Sequence, residues 1–104
     1  MATKLSTIEF LVEQLHGVGD VAYKKMFGEY VVYLNTKPVF LICDDTLFVK
    51  DIPELQELLK GCDKVPPYTG ARPHFVIDNV DDREFLVEVA QILEKVLPFP
   101  RKKK

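Results

Sequence analysis

Between Val21 and Lys50 strand-like runs follow one another with almost nothing between them, which leaves the chain few folds to choose from. Val21 to Phe27 alternates loosely, and Gly28 marks a turn, a bulge or a bend. Tyr30 to Leu34 is β-branched and aromatic, the composition of a half-buried pleated strand. Asn35-Thr36-Lys37-Pro38 has turn chemistry, and Asp44-Asp45 is a tight turn leading into Thr46 to Lys50. Connections this short join antiparallel neighbours, because a parallel crossover needs a much longer segment. Val39 to Cys43 is apolar at every position, which suits a central strand covered, or nearly so, on both faces.

Helical periodicity flanks this block. Ile8, Leu11, Val12 and Leu15 fall on one helical face, Ser6-Thr7-Ile8-Glu9 predicts a capping box, and Gly17 stops the helix. Gly17-Val18-Gly19 follows a helix instead of a strand, so it is a cap and turn and not a dinucleotide-binding loop. Asp51-Ile52-Pro53-Glu54 opens a second helix with Asp51 as N-cap, an inner face of Ile52, Leu55, Leu58 and Leu59, and Gly61 at its end. A loop dense in Pro and Gly runs from Val65 to Pro73, and a short strand from His74 to Ile77. Asp81-Asp82-Arg83-Glu84 caps a last helix with the stripe Phe85, Leu86, Val89, Leu93, Val96 and Leu97, which Pro98 and Pro100 end.

The order α-β-β-β-(β)-α-β-α predicts a two-layer α+β domain over residues 5–97, with helices on one face of an antiparallel sheet of about five strands. Residues 98–104 form a Pro- and Lys-rich basic tail, expected to be disordered. Helices on one face leave the other exposed or set against a partner. Tyr23, Tyr30, Tyr33, Phe40 and Phe48 cannot all be assigned to the core face, and aromatics on the open face would suit a homodimer or a protein partner.

Composition narrows the function classes. The chain holds 14 basic and 16 acidic residues, a net charge of -2. Setting aside Arg101 to Lys104 leaves 10 basic against 16 acidic, a body of -6 that repels a phosphate backbone. No apolar run is long enough to span a membrane, and the N-terminus lacks the apolar segment of a secretory signal, so a cytoplasmic protein is expected. Two cysteines make no disulfide framework: Cys43 reads as a small buried hydrophobe, and Cys62 follows a helix end where the dipole opposes a thiolate. His16 and His74 have no ligand-spaced partner, so neither a metal nor another cofactor is expected. The acid pairs Asp44-Asp45 and Asp81-Asp82 read as a turn and a cap, and no catalytic residue is assigned.

Two blocks carry a family resemblance. Lys25-Met26-Phe27-Gly28-Glu29-Tyr30 and Leu41-Ile42-Cys43-Asp44-Asp45-Thr46-Leu47-Phe48-Val49-Lys50 resemble the M-F-G-x-Y and D-D-x-L-(aromatic)-x-K signatures of the N-terminal domain of the bacterial TfoX/Sxy competence regulators. The segments Pro66 to Pro73 and Asp78 to Asp82, with the lysine-ended tail, look like its small stand-alone members. The resemblance implies an antiparallel sheet packed with helices, in a fold like that of secretion chaperones. Full-length regulators promote DNA uptake by acting with a cyclic-AMP receptor protein at competence promoters, and they carry a C-terminal domain that these residues do not include. It implies no catalytic residues.

The expectation is therefore a non-enzymatic regulatory or adaptor domain acting through protein–protein contact, linked to competence or transcription regulation, with a transcription regulator or a second copy as its partner. Its candidate interaction surface is Lys24, Lys25, Tyr30, Tyr33 and Arg72. The alternative is a nucleic-acid-binding accessory factor that uses Lys24, Lys25, Arg72 and the basic tail.

Overall fold

The computed structural model describes residues 3–26 and 29–97. Its elements run α1 (Leu5–Gln14), β1 (Val21–Met26), β2 (Glu29–Leu34), β3 (Lys37–Cys43), β4 (Thr46–Val49), α2 (Pro53–Gln56), β5 (Lys64–Val65), β6 (His74–Ile77) and α3 (Arg83–Val96). Six strands form one sheet in the order β1-β2-β3-β4-β6-β5, and every neighbouring pair is antiparallel. The class is α+β, as expected, with six strands where about five were foreseen. The addition is β5, which pairs with β6 at the outer edge. Two residues at the mouth of a Pro-rich loop carry no periodicity to read.

The two tight turns have the backbone that a twisted hairpin requires. Asn35 and Thr36 have φ of 53° and 71°, and Asp44 and Asp45 have 52° and 62°. Positive φ at both central residues matches the right-handed twist of the flanking strands. Asn35 is also stitched to the start of β1: its backbone N–H donates to the Asp20 carbonyl at 2.7 Å, and its Oδ1 accepts from the Asp20 N–H at 2.9 Å. Gly19 leaves room for this side chain, since a Cβ there would sit 2.8 Å from Asn35 Oδ1.

The core lies on one face of the sheet. Ile8, Leu11 and Leu15 of the α1 segment, Leu55 and Leu59 around α2, and Leu86, Val89, Ala90 and Leu93 of α3 form one cluster with Val32, Leu34, Phe40, Ile42, Leu47, Val49, Phe75 and Ile77. These strand residues alternate along their strands and share one side of the pleat. A bulge at Val39 shifts the β2–β3 register and brings Val39 into the same cluster. Among the described residues no helix is long and apolar enough to cross a membrane.

Helix ends depart from the sequence reading in four places, one being α2, which ends at Gln56 and not at Gly61, with Leu58 and Leu59 in the turns that follow. Ser6 lies inside α1, and the helix is capped by Lys4 without a side-chain bond. The role falls to Asp45 of the β3–β4 turn, whose Oδ1 accepts from the Lys4 N–H at 3.1 Å and the Thr7 hydroxyl at 2.8 Å, while its N–H donates to Thr3 Oγ1. A tertiary contact thus replaces the local box. Ile52, not Asp51, is the N-cap of the short α2; the Asp51 carboxylate accepts from Gln56 Nε2 and Lys64 Nζ instead. Val96 ends the α3 stripe on the surface, 39% exposed. Asp82 does cap α3, accepting from the Phe85 N–H at 3.2 Å. The readings placed on Gly28 and on the 98–104 tail lie outside the described residues.

Candidate interaction face of the sheet

Strand alternation sends a second set of side chains to the face away from the helices. The pairings Lys24↔Val31, Val31↔Leu41, Leu41↔Phe48 and Phe48↔Val76 trace one row across five strands, apolar except at its outer end. Tyr33, paired with Pro38, adds an aromatic beside the row. Val31, Cys43 and Phe48 are buried yet belong to no part of the helix-side cluster. Among the described elements no helix packs on this face. The unbroken apolarity of Val39 to Cys43 predicts a strand covered, or nearly so, on both faces, and each of these residues is buried except the half-buried Leu41, although the described helices pack on one face only.

The two ends of the face differ in charge. At one end Glu29 lies beside Cys43. Burial, then the Glu29 charge, a hydrogen bond with Glu29 and the charge of Asp44 push the Cys43 thiol up to about 12. A thiol so held is no nucleophile near neutral pH. Cys62, half-buried, is raised too, by burial and then by Asp78 and Asp63. Nothing in either setting activates sulfur.

At the other end two hollows meet. One, of about 200 Å³, is lined by Val31, Pro38, Leu41, Phe48, Lys50 and His74 among others. The second, of about 460 Å³, is lined by Lys50, Asp51, Ile52, Arg72, Pro73, His74 and Leu97. Lys50 and His74 border both. His74 Nδ1 lies 2.8 Å from the Arg72 carbonyl oxygen. A carbonyl only accepts, so Nδ1 carries the proton of that bond. Neither Arg72 nor Lys50 has an ion-pair partner among the described residues. Asp51, the acid in the same hollow, is already engaged by Gln56 and Lys64. Among the described residues no group of three His, Cys, Asp or Glu side chains could hold a metal.

The residues singled out from the sequence do not form one patch. Lys24 and Lys25 are exposed on β1, an edge strand, and as successive residues they point to opposite faces. Tyr30 sits in the helix-side core, 8% exposed, with its ring centroid 6.0 Å from that of Tyr23. Tyr33 is half-buried on the open face. Arg72 precedes β6, four strand spacings from β1, about 19 Å at ~4.8 Å each. Leu41, Phe48, Lys50, His74 and Val76 were missed as a group. Only the strand register brings them together.

The sequence matches the TfoX N-terminal domain over residues 13–91. It is also similar to an uncharacterized 12.7 kDa protein from the trpE 5′ region of Spirochaeta aurantia, 30% identical over 105 residues that cover 100% of this chain and 91% of the relative. With an α+β sheet of the kind the resemblance implied and a match over most of its length, the chain belongs to the TfoX N-terminal domain family.

Proposed function

We propose that this domain is a non-enzymatic regulatory or adaptor module that binds another protein through the open face of its sheet. The observation that carries the reading is the apolar row Val31–Leu41–Phe48–Val76, which no described helix covers. Leu41 and Val76 are half-buried and Val31 and Phe48 buried, so the row is a shallow apolar surface that a partner's side chains would complete. The raised thiols of Cys43 and Cys62 agree with it, as does membership of a family not known for enzymes. A regulatory role in transcription or competence is the setting the family suggests.

The test is affinity capture with the tagged full chain from its own cells, with and without nuclease, compared with Leu41→Asp. Leu41 is half-buried on the open face, so its replacement charges the row without opening the helix-side core. Capture of a defined protein that survives nuclease and is lost in the variant, with an unchanged circular dichroism spectrum, supports the reading. Capture that Leu41→Asp leaves intact, or that nuclease abolishes, refutes it.

A further inference from the structure

Three basic side chains gather at one end of the open face. Lys50, Arg72 and His74 converge on one hollow, and the lysine and the arginine lack a carboxylate partner among the described residues. This happens on a chain whose acidic residues outnumber its basic ones, 16 to 14. Two cations with no ion-pair partner among the described residues, bordering a concave site, raise the local concentration of anions and draw them in. Arg72 adds a planar fork suited to two parallel bonds with a carboxylate. Beside it, sharing Lys50 and His74, lies the smaller hollow with its apolar wall of Val31, Leu41 and Phe48.

We propose that Lys50, Arg72 and His74 form a carboxylate-binding subsite, and that the ligand of this face is an extended acidic peptide segment. The segment carries a bulky apolar side chain two residues before an Asp or Glu. The apolar side chain fills the hollow at Phe48, and the carboxylate meets Arg72 and Lys50. The spacing follows from the strand. Phe48 and Lys50 are two residues apart on one face, roughly 7 Å in extended chain, and the same repeat separates alternate side chains of an extended peptide. A nucleic acid fits less well. The cations cluster at one point instead of tracking a backbone, and the surrounding body is acidic.

The inference rests on the open face being a protein-binding surface, and the test separates the two. The full chain is titrated into three fluorescein-labelled octapeptides that differ only in carrying Phe-Thr-Glu, Phe-Thr-Gln or Ala-Thr-Glu, and into a labelled oligothymidylate. Fluorescence anisotropy reports binding. The Phe-Thr-Glu peptide is expected to bind roughly ten-fold more tightly than either of the others. Arg72→Gln and Lys50→Gln are each expected to lower its affinity toward that of Phe-Thr-Gln, while leaving Phe-Thr-Gln unchanged. Neither side chain makes a hydrogen bond or ion pair that the fold depends on among the described residues. Equal affinity for the Glu and Gln peptides, binding by none of the three, or tighter binding of the oligothymidylate through Arg72 and Lys50 overturns the subsite. A cellular protein lost on Leu41→Asp but retained by the Arg72→Gln/Lys50→Gln variant discards the subsite and leaves the open-face reading standing.

Discussion

Lys37 is 7% exposed at the start of β3, and its Nζ donates to the Glu94 carbonyl oxygen at 2.7 Å. Glu94 lies in the last turn of α3, where backbone carbonyls lack helical partners and the helix dipole is negative. The Glu94 carboxylate stands 3.8 Å away. Lys37→Met keeps most of the apolar stem and removes the cation. The lost charge-assisted bond is worth ~1.5–3 kcal/mol and the dipole contact ~0.5 kcal/mol. Against this stands relief of the ammonium's burial, itself of kcal/mol order, so the expected net loss is about 1 kcal/mol. Lys37→Ala also removes buried methylenes at ~0.8 kcal/mol each, which brings its loss to about 3 kcal/mol. Urea unfolding followed by circular dichroism measures both. The midpoint is expected to fall in the order wild type, Lys37→Met, Lys37→Ala, with an unchanged slope. A Lys37→Met protein as stable as wild type, or more so, would show that burial cost cancels the cap and refute the reasoning.

Three further outcomes are expected. The Asp45 carboxyl is held below its ordinary range by the Thr7 hydroxyl, then by the Lys4 N–H and the Lys4 charge. A depressed carboxylate adds stability above its unfolded pKa, and this is lost as pH falls through the folded value. Thermal melts should therefore show wild type above Asp45→Asn at neutral pH, with the gap closing from about pH 4 downward; a constant gap contradicts the assignment. Iodoacetamide labelling at pH 8 followed by mass spectrometry should leave Cys43 unmodified in the native protein and modify it only on unfolding, with Cys62 the faster of the two; native labelling of Cys43 first contradicts its burial. Gly19→Ala should cost about 1 kcal/mol by displacing the Asn35 side chain from the Asp20 N–H, and in an Asn35→Ala background the cost should shrink to what the 3.1 Å contact with Leu34 Cδ1 imposes.

How much was legible follows from the range of each interaction. The β2–β3 and β3–β4 hairpins were readable because their turns and strands are contiguous, and so was the Asp82 cap on α3. The α1 cap was not. Ser6 and Glu9 offered a local box, but the bonds to Asp45 cross about forty residues of chain and settle where the helix begins. The buried Lys37 was read as turn chemistry for the same reason, since its partner Glu94 is far away in sequence. At the site, single residues were visible and their grouping was not. Tyr33 and Arg72 do border the open face, whereas Tyr30 belongs to the core, and the lysine pair lies across the sheet from Arg72. One shift of register would have exchanged the faces of Tyr30 and Val31, and no short-range rule fixes that choice.

The β1 edge offers a partner a different route, and its charges argue against it. β1 pairs on one side with β2, and its other side has no strand partner among the described residues. Suppose two copies joined antiparallel through β1 about a two-fold axis normal to the sheet, which pairs residues of the same face, with Ala22 opposite Met26. Lys24 of one copy then falls directly opposite Lys24 of the other. Like charges so placed oppose pairing, and lysines are a common guard on exposed edges. The lysine pair that suggested a binding platform is better explained as protection against strand addition. Lys24→Thr/Lys25→Thr removes the repulsion and raises β-propensity, so sedimentation equilibrium should show stronger self-association than wild type, and the gap should shrink at high salt as screening grows. A wild-type dimer that the double substitution weakens would mean that the lysines themselves make the contact, and the edge-guard reading would fall.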